Sequence, residues 1–147
     1  IEYLHNEGYN MFKGLFLGKG SKAYENTIES YKACTIKDFV AVDKLADYYA
    51  LADVGAWPAQ ESMSQLDAIS TGLPLVLSDT IEVVERIEDN GFLYKDNDKI
   101  DLAKQLLKLK DKKLRMQLGE FGSKKVEAKF SWRYIAKKRI EYFSAGI

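Results

Sequence analysis

One cysteine, Cys34, and one histidine, His5, are all that this chain of 147 residues has of either type. A lone cysteine cannot close a disulfide within the chain and fits a reducing compartment, and the pair leaves no Cys/His cluster for zinc. Proline is nearly as scarce, standing only at positions 58 and 74. Each therefore marks a place where a ladder or a helix has to stop. Excess charge of one sign is missing too: Lys plus Arg and Asp plus Glu both total 22, so no general field draws in nucleic acid or an anionic membrane. No apolar run is long enough to span a bilayer, and nothing resembles a signal peptide. Disulfide scaffolds, zinc modules, nucleic-acid binders and membrane spans are set aside, and a cytoplasmic location is expected.

What is present has the length and apolar content of one ordinary domain with a real core. The chain opens at Ile1, inside what reads as a helix, so a fragment of a longer protein is expected. Taken in order, residues 1–11 read as a short helical stretch closed by Gly8, and FKGLFL at 12–17 as a strand. After a turn at 18–21, a helix is expected over 22–34, with Tyr24, Ile28 and Tyr31 on one face. A short apolar strand follows at 38–42, then a helix at 44–52 whose inner side carries Leu45, Tyr48, Tyr49 and Ala52. Strands at 54–57, 75–77 and 92–94 and a short amphipathic helix at 81–87 complete an alternating pattern. From Asp98 onward the pattern is wholly helical, with Asp98, Asp111 and Ser131 as capping residues and Phe121 among the apolar positions of the second helix. Such alternation gives an α/β fold: a Rossmann-like, mainly parallel sheet covered by helices, with a helical C-terminal tail.

The stretch DVGAWPAQESMSQLDAISTGLP, residues 53–74, concentrates the chemistry. A strand stops at Pro58, Ser62 or Ser64 can cap a new helix, and Gly72-Leu73-Pro74 ends it. A strand, a tight loop and a helix start gather unpaired N–H groups at the positive end of a helix, which suits a phosphate. Asp67, one turn in, could accept hydrogen bonds from two ribose hydroxyls. The same residues also admit a plainer role, in which the serines only cap the helix and Asp67 complements its dipole. Lys19 in GKGS fails the Walker spacing and reads as a surface turn. The Lys and Arg residues of the tail, mixed with Glu127 and Glu141, read as a solvated face.

The order LADYYALADVGAWP, SxSxxDAxSTGLPLVLSD, NGFLY and a tail containing KFSWRYIAKK resembles the C-terminal, nucleotide-sugar-binding domain of family 4 (group 1) glycosyltransferases of the two-domain GT-B fold. The likeness runs over nearly the whole chain. It implies the donor-binding half of an enzyme that moves a sugar from a nucleotide diphosphate-sugar to an acceptor, with retention, without a metal and with no cofactor. Asp67 then falls where the family's second motif acid meets the donor ribose. Ser62, Met63 and Ser64 fall on the loop and helix tip that hold the diphosphate, and Val40, Val42 and Asp43 on the region that receives the base. The first motif acid departs from the pattern: eight residues before Asp67 stands Ala59, while Glu61, the nearest acid and the catalytic candidate, leaves five intervening residues. The family's first strand, its phosphate-clamping Arg and Lys and its acceptor domain are expected to precede residue 1. The fragment alone is expected to be inactive, and the centre of its sheet to be exposed. The resemblance also implies a glycan or lipid-linked acceptor, a role in polysaccharide-type synthesis and peripheral association of the full enzyme with the inner face of a membrane. A nucleotide-sugar epimerase half and a non-catalytic interaction domain share the fold and stand as alternatives.

Overall fold

A computed structural model describes residues 1–58 and 61–146. Helices and strands alternate through residue 78, and a further strand follows: α1 (Glu2–Asn6), β1 (Gly14–Leu17), α2 (Lys22–Ser30), β2 (Cys34–Lys37), α3 (Val42–Leu51), β3 (Gly55–Trp57), α4 (Ser64–Ser70), β4 (Leu75–Ser78) and β5 (Gly91–Tyr94). The tail is helical, with α5 (Lys99–Lys108), α6 (Lys112–Lys125) and α7 (Trp132–Ser144), the last two joined by a π-helical turn at Val126–Phe130. All described strand pairs are parallel, β1 and β2 joined through α2, β3 and β4 through α4, and β4 and β5 through a segment with one 3₁₀ turn. The expected α/β architecture therefore forms, but the single expected sheet is divided. β1 pairs with β2, and β3-β4-β5 form a separate sheet, because no described strand bridges β1 and β3.

The core sits around β4, whose four residues are all buried. Its alternation sends Leu75 and Leu77 to a cluster with Ala68, Ile69, Leu73 and Ile87, while Val76 faces the opposite layer with Tyr94 and Leu109. A strand covered on both faces carries an unbroken apolar run, which is why LPLVL reads without polar interruption. Local chemistry ends the helices as expected. Asp98 accepts from the N–H groups of Ile100 and Asp101, Asp111 from those of Lys113 and Leu114, and Ser131 from Tyr134. Gly72, at φ +82°, supplies the left-handed residue that stops α4.

Several boundaries differ from the sequence reading. The second strand lies at Cys34–Lys37 and not at 38–42, because its ladder with β1 runs from Gly14 opposite Cys34 to Leu17 opposite Lys37. α2 correspondingly stops at Ser30, with Tyr31 already extended. The apolar FVAV that suggested a strand is loop and helix start, leaving Phe39 and Val42 about four-fifths exposed. Residues 81–87 contain only one 3₁₀ turn, Val84–Arg86. On α6 the packed face is not the one marked by Phe121, which is half exposed. Gly119 and Gly122 are buried instead, against Gly72, Ile69 and Asn90.

Candidate functional site

Parallel strands place all their C-terminal ends on one edge, and the loops that leave β3, β4 and β5 emerge there. The loop after β3 leads through Glu61 and Ser62 into α4, whose N-cap position is Met63. The side chain of Met63 forms no cap, and neither serine caps in the expected way. Ser62 Oγ accepts from the N–H of Ser64 at 3.3 Å, one residue short of the usual reach. The serines are instead ordered by Trp57. Its indole Nε1 donates to Ser64 Oγ at 3.1 Å, and Ser64 Oγ donates to Ser62 Oγ at 2.9 Å. Tyr49 of α3 lies against the Trp57 ring at 6.4 Å between centroids, and the Tyr94 hydroxyl donates to the Pro58 carbonyl at 2.7 Å. The strand end, the loop and the helix tip are thus tied from three sides.

The hydrogen bonding leaves the tip open for an anion. Among the described residues no group accepts from the N–H of Ser62 or of Met63, and Met63 is largely exposed. Asp67 stands in the first turn of α4, exposed, and its carboxylate has no hydrogen-bond partner among the described residues. Its charge is felt by Tyr49, whose phenol is pushed above its ordinary pKa by burial first and by Asp67 second. Val40 lies half-buried in the loop after β2. Val42 and Asp43 occupy the exposed first turn of α3, so these three residues come from a loop and a helix start and not from a strand end.

Glu61 is committed within the protein. One carboxylate oxygen, Oε1, accepts from the N–H of Glu82 and from that of Val83, the latter at 3.0 Å. The bond from Val83 is the main reason the carboxyl lies below its ordinary pKa; burial, the next largest influence, opposes it, and the bond from Glu82 and the charge of Arg86 add to the lowering. Arg86 returns the contact, donating from Nη1 to Gln65 Oε1 at 3.1 Å and to the Ser62 carbonyl at 3.4 Å. Sequence reasoning missed Arg86, Gln65 and Trp57 as parts of this region. The usable signal was Gln65, a polar residue beside the apolar positions of α4 and fully buried, since buried amides require partners. Ala59, the position of the family's first acid by spacing, lies outside the described residues. Among the described residues no group of three or more His, Cys, Asp or Glu is placed to hold a metal. No helix among them is long and apolar enough to cross a membrane. An apolar cavity of about 350 Å³ lies elsewhere, bounded by residues of α1, α2 and α5 including Ile28, Tyr31 and Leu102, and contains none of the site residues.

Solved structures share this architecture. A sucrose-phosphate synthase from Thermosynechococcus elongatus superposes with a TM-score of 0.77 at 22% identity, over 89% of this chain and 37% of its own. TarM superposes with a TM-score of 0.79 at 18% identity, over 95% of this chain and 30% of its own. A variant of S. aureus TarM in complex with fondaparinux, alpha-GlcNAc-glycerol and UDP gives a TM-score of 0.80 at 19% identity, with the same coverage of 95% and 30%. The chain thus spans about a third of the length of these proteins, and the likeness is one of fold. No curated protein matches the chain. A family match does cover most of it: residues 2–112, from α1 into the start of α6, match the family described as glycosyl transferases group 1. With that match over the β–α units that build the strand-end loops, the chain belongs to the group 1 glycosyltransferases.

Proposed function

We propose that this chain is the donor-binding half of a glycosyltransferase that moves a sugar from a nucleotide diphosphate-sugar to an acceptor. The observation that carries the reading is the tip of α4, where the N–H groups of Ser62 and Met63 and the Asp67 carboxylate are left without hydrogen-bond partners among the described residues. Diphosphate oxygens fit the N–H groups and the positive end of the helix, and ribose hydroxyls fit the carboxylate one turn away. Val40, Val42 and Asp43, on the loop and helix start after β2, would line the base. As the leaving diphosphate gains charge, the fixed amide dipoles of Ser62 and Met63 would offset it without reorganising. No step of this scheme calls on a metal or a cofactor. UDP in the TarM complex supports a nucleotide diphosphate as the class of ligand.

The finer reading is a retaining, metal-independent transfer of a hexosyl or related group. The acceptor, a glycan or a lipid-linked glycan in polysaccharide synthesis, would be bound by a separate domain of the full enzyme. That enzyme would work in the cytoplasm, at the inner face of a membrane. Asp67→Ala in the full-length enzyme tests the site. Loss of two charge-assisted hydrogen bonds, each worth about 1.5 to 3 kcal/mol, lowers donor affinity on the order of a hundredfold. The melting temperature should stay nearly unchanged, because relief of a dipole contact costs only about 0.3 to 1 kcal/mol. Unchanged affinity for the donor and for the free nucleotide diphosphate would remove Asp67 from the site.

A further inference from the structure

We infer that Glu61 is a positioning residue, whose Oε1 ties the loop after β4 to the tip of α4 and shapes one wall of the donor site, and that this oxygen does not touch the transferred sugar. This rests on the donor-binding reading above. Two loops distant in sequence are joined here at two points, from opposite directions. Glu61, on the loop after β3, reaches across to the N–H groups of Glu82 and Val83 with a single oxygen. Arg86, three residues farther along the second loop, reaches back to the Ser62 carbonyl and to Gln65 Oε1. The result is a closed ring: Glu61 to residues 82 and 83, along the chain to Arg86, then across to Ser62 and Gln65, which lead back to Glu61.

The members of this ring differ in freedom. Gln65, in the first turn of α4, has no exposed surface, so it anchors the guanidinium. The guanidinium in turn lies close enough to Glu61 for its charge to act on the carboxyl. Glu61 itself is exposed, and what fixes it is its pair of amide bonds. A carboxylate engaged in this way would have to release the loop to turn its Oε1 toward a sugar. The two amides it holds belong to the loop that leaves β4, the strand beside β3, so the tie sets how closely that loop stands against Ser62 and Met63. A glutamine at position 61 keeps one acceptor oxygen in place, whereas an alanine keeps none.

Amide hydrogen exchange on the ¹⁵N-labelled chain, read beside NMR titrations with UDP and with UDP-glucose, tests the assignment. Glu61→Ala should speed exchange at Glu82 and Val83 by about tenfold or more, as loss of hydrogen bonds to a charged acceptor requires. Glu61→Gln should leave both amides near the parent rate, and Arg86→Met should loosen the same two amides from the other side. Glu61→Ala should weaken UDP and UDP-glucose by the same factor, and Glu61→Gln should affect neither. Unchanged exchange at both amides in Glu61→Ala would overturn the proposal. So would a loss of UDP-glucose binding in both the Gln and Ala variants with UDP binding intact, since that pattern belongs to a sugar contact. Failure of the parent chain to bind UDP would count against the donor-binding reading, while the exchange rates would still decide whether Glu61 holds the loop.

Discussion

Replacing Gly119 by alanine pits helix propensity against packing, and the structure says which should win. Gly119 lies inside α6, where glycine costs about 1 kcal/mol relative to alanine, so propensity alone expects Gly119→Ala to stabilise by that amount. A Cβ built at this position would, however, stand 2.0 Å from the carbonyl oxygen of Gly72 and 2.9 Å from its carbon. Ordinary carbon–oxygen contacts are about 3.3 Å, so α6 and the end of α4 would have to part by roughly 1.3 Å. The obstacle is backbone and cannot rotate away. Separation would also loosen Gly122 from Ile69, and a forced fit of this kind typically costs about 1 to 3 kcal/mol. With the clash at the upper end of that range and the propensity gain subtracted, a net loss of about 2 kcal/mol is expected. For a urea slope of about 1 to 3 kcal/mol per molar, the midpoint should fall by roughly 1 M. Urea unfolding followed by circular dichroism measures it, with Gln117→Ala, an exposed position on the same helix, expected within about 0.5 kcal/mol of the parent. A midpoint that rises, or does not move, would refute the close approach of the two helices.

Lys125→Met removes an ammonium that donates to the carbonyls of Glu85 at 2.7 Å, Arg86 at 3.4 Å and Glu88, and to Asn90 Oδ1 at 2.5 Å, while keeping much of the apolar stem. Burial draws this lysine below its ordinary pKa, and the carboxylates of Glu88, Asp89 and Glu85 counter that effect. Because Asn90 is fully buried and loses its acceptor's partner, a cost of about 2 kcal/mol is expected by thermal unfolding; an unchanged melting temperature would refute the clamp. Glu61 gives a pH dependence whose sign follows from its folded pKa being held below the ordinary value. Its contribution is complete above the unfolded pKa and is lost as pH falls through the folded one. The stability gap between the parent and Glu61→Ala should therefore narrow on going from about pH 7 to about pH 3, followed by urea midpoints, and a gap that does not change would count against an ionised Glu61 holding the loop.

The candidate site was legible where it depends on neighbours in sequence. Asp67 one turn into a helix, the loop at Ser62 to Ser64 and the break at Pro58 follow from local rules about strands, caps and helix starts. The partners of Glu61 were not legible, because Glu82 and Val83 lie 21 and 22 residues away and offer backbone groups that any residue type carries. Arg86 looked like one position of an amphipathic helix until the 3₁₀ turn aimed it at Gln65. The apolar FVAV has the composition of a strand, yet pairing with β1 had already been taken by CTIK.

By itself, then, the sequence determined what is encoded within a few residues: alternating strands and helices, the capping of α5, α6 and α7 by Asp98, Asp111 and Ser131, the stop at Gly72, and the strand–loop–helix unit that presents Asp67. Tertiary structure alone decided the division of the sheet between β1 and β3, the burial of Gly119 and Gly122 in place of Phe121, and the use of Lys125 and Arg86 as ties between loops. Local signals act through dihedral preferences and hydrogen bonds to the next turn, which each stretch carries with it. Long-range contacts depend on which surfaces meet once those elements have formed, and a glycine or a backbone amide carries no mark of the partner it will touch.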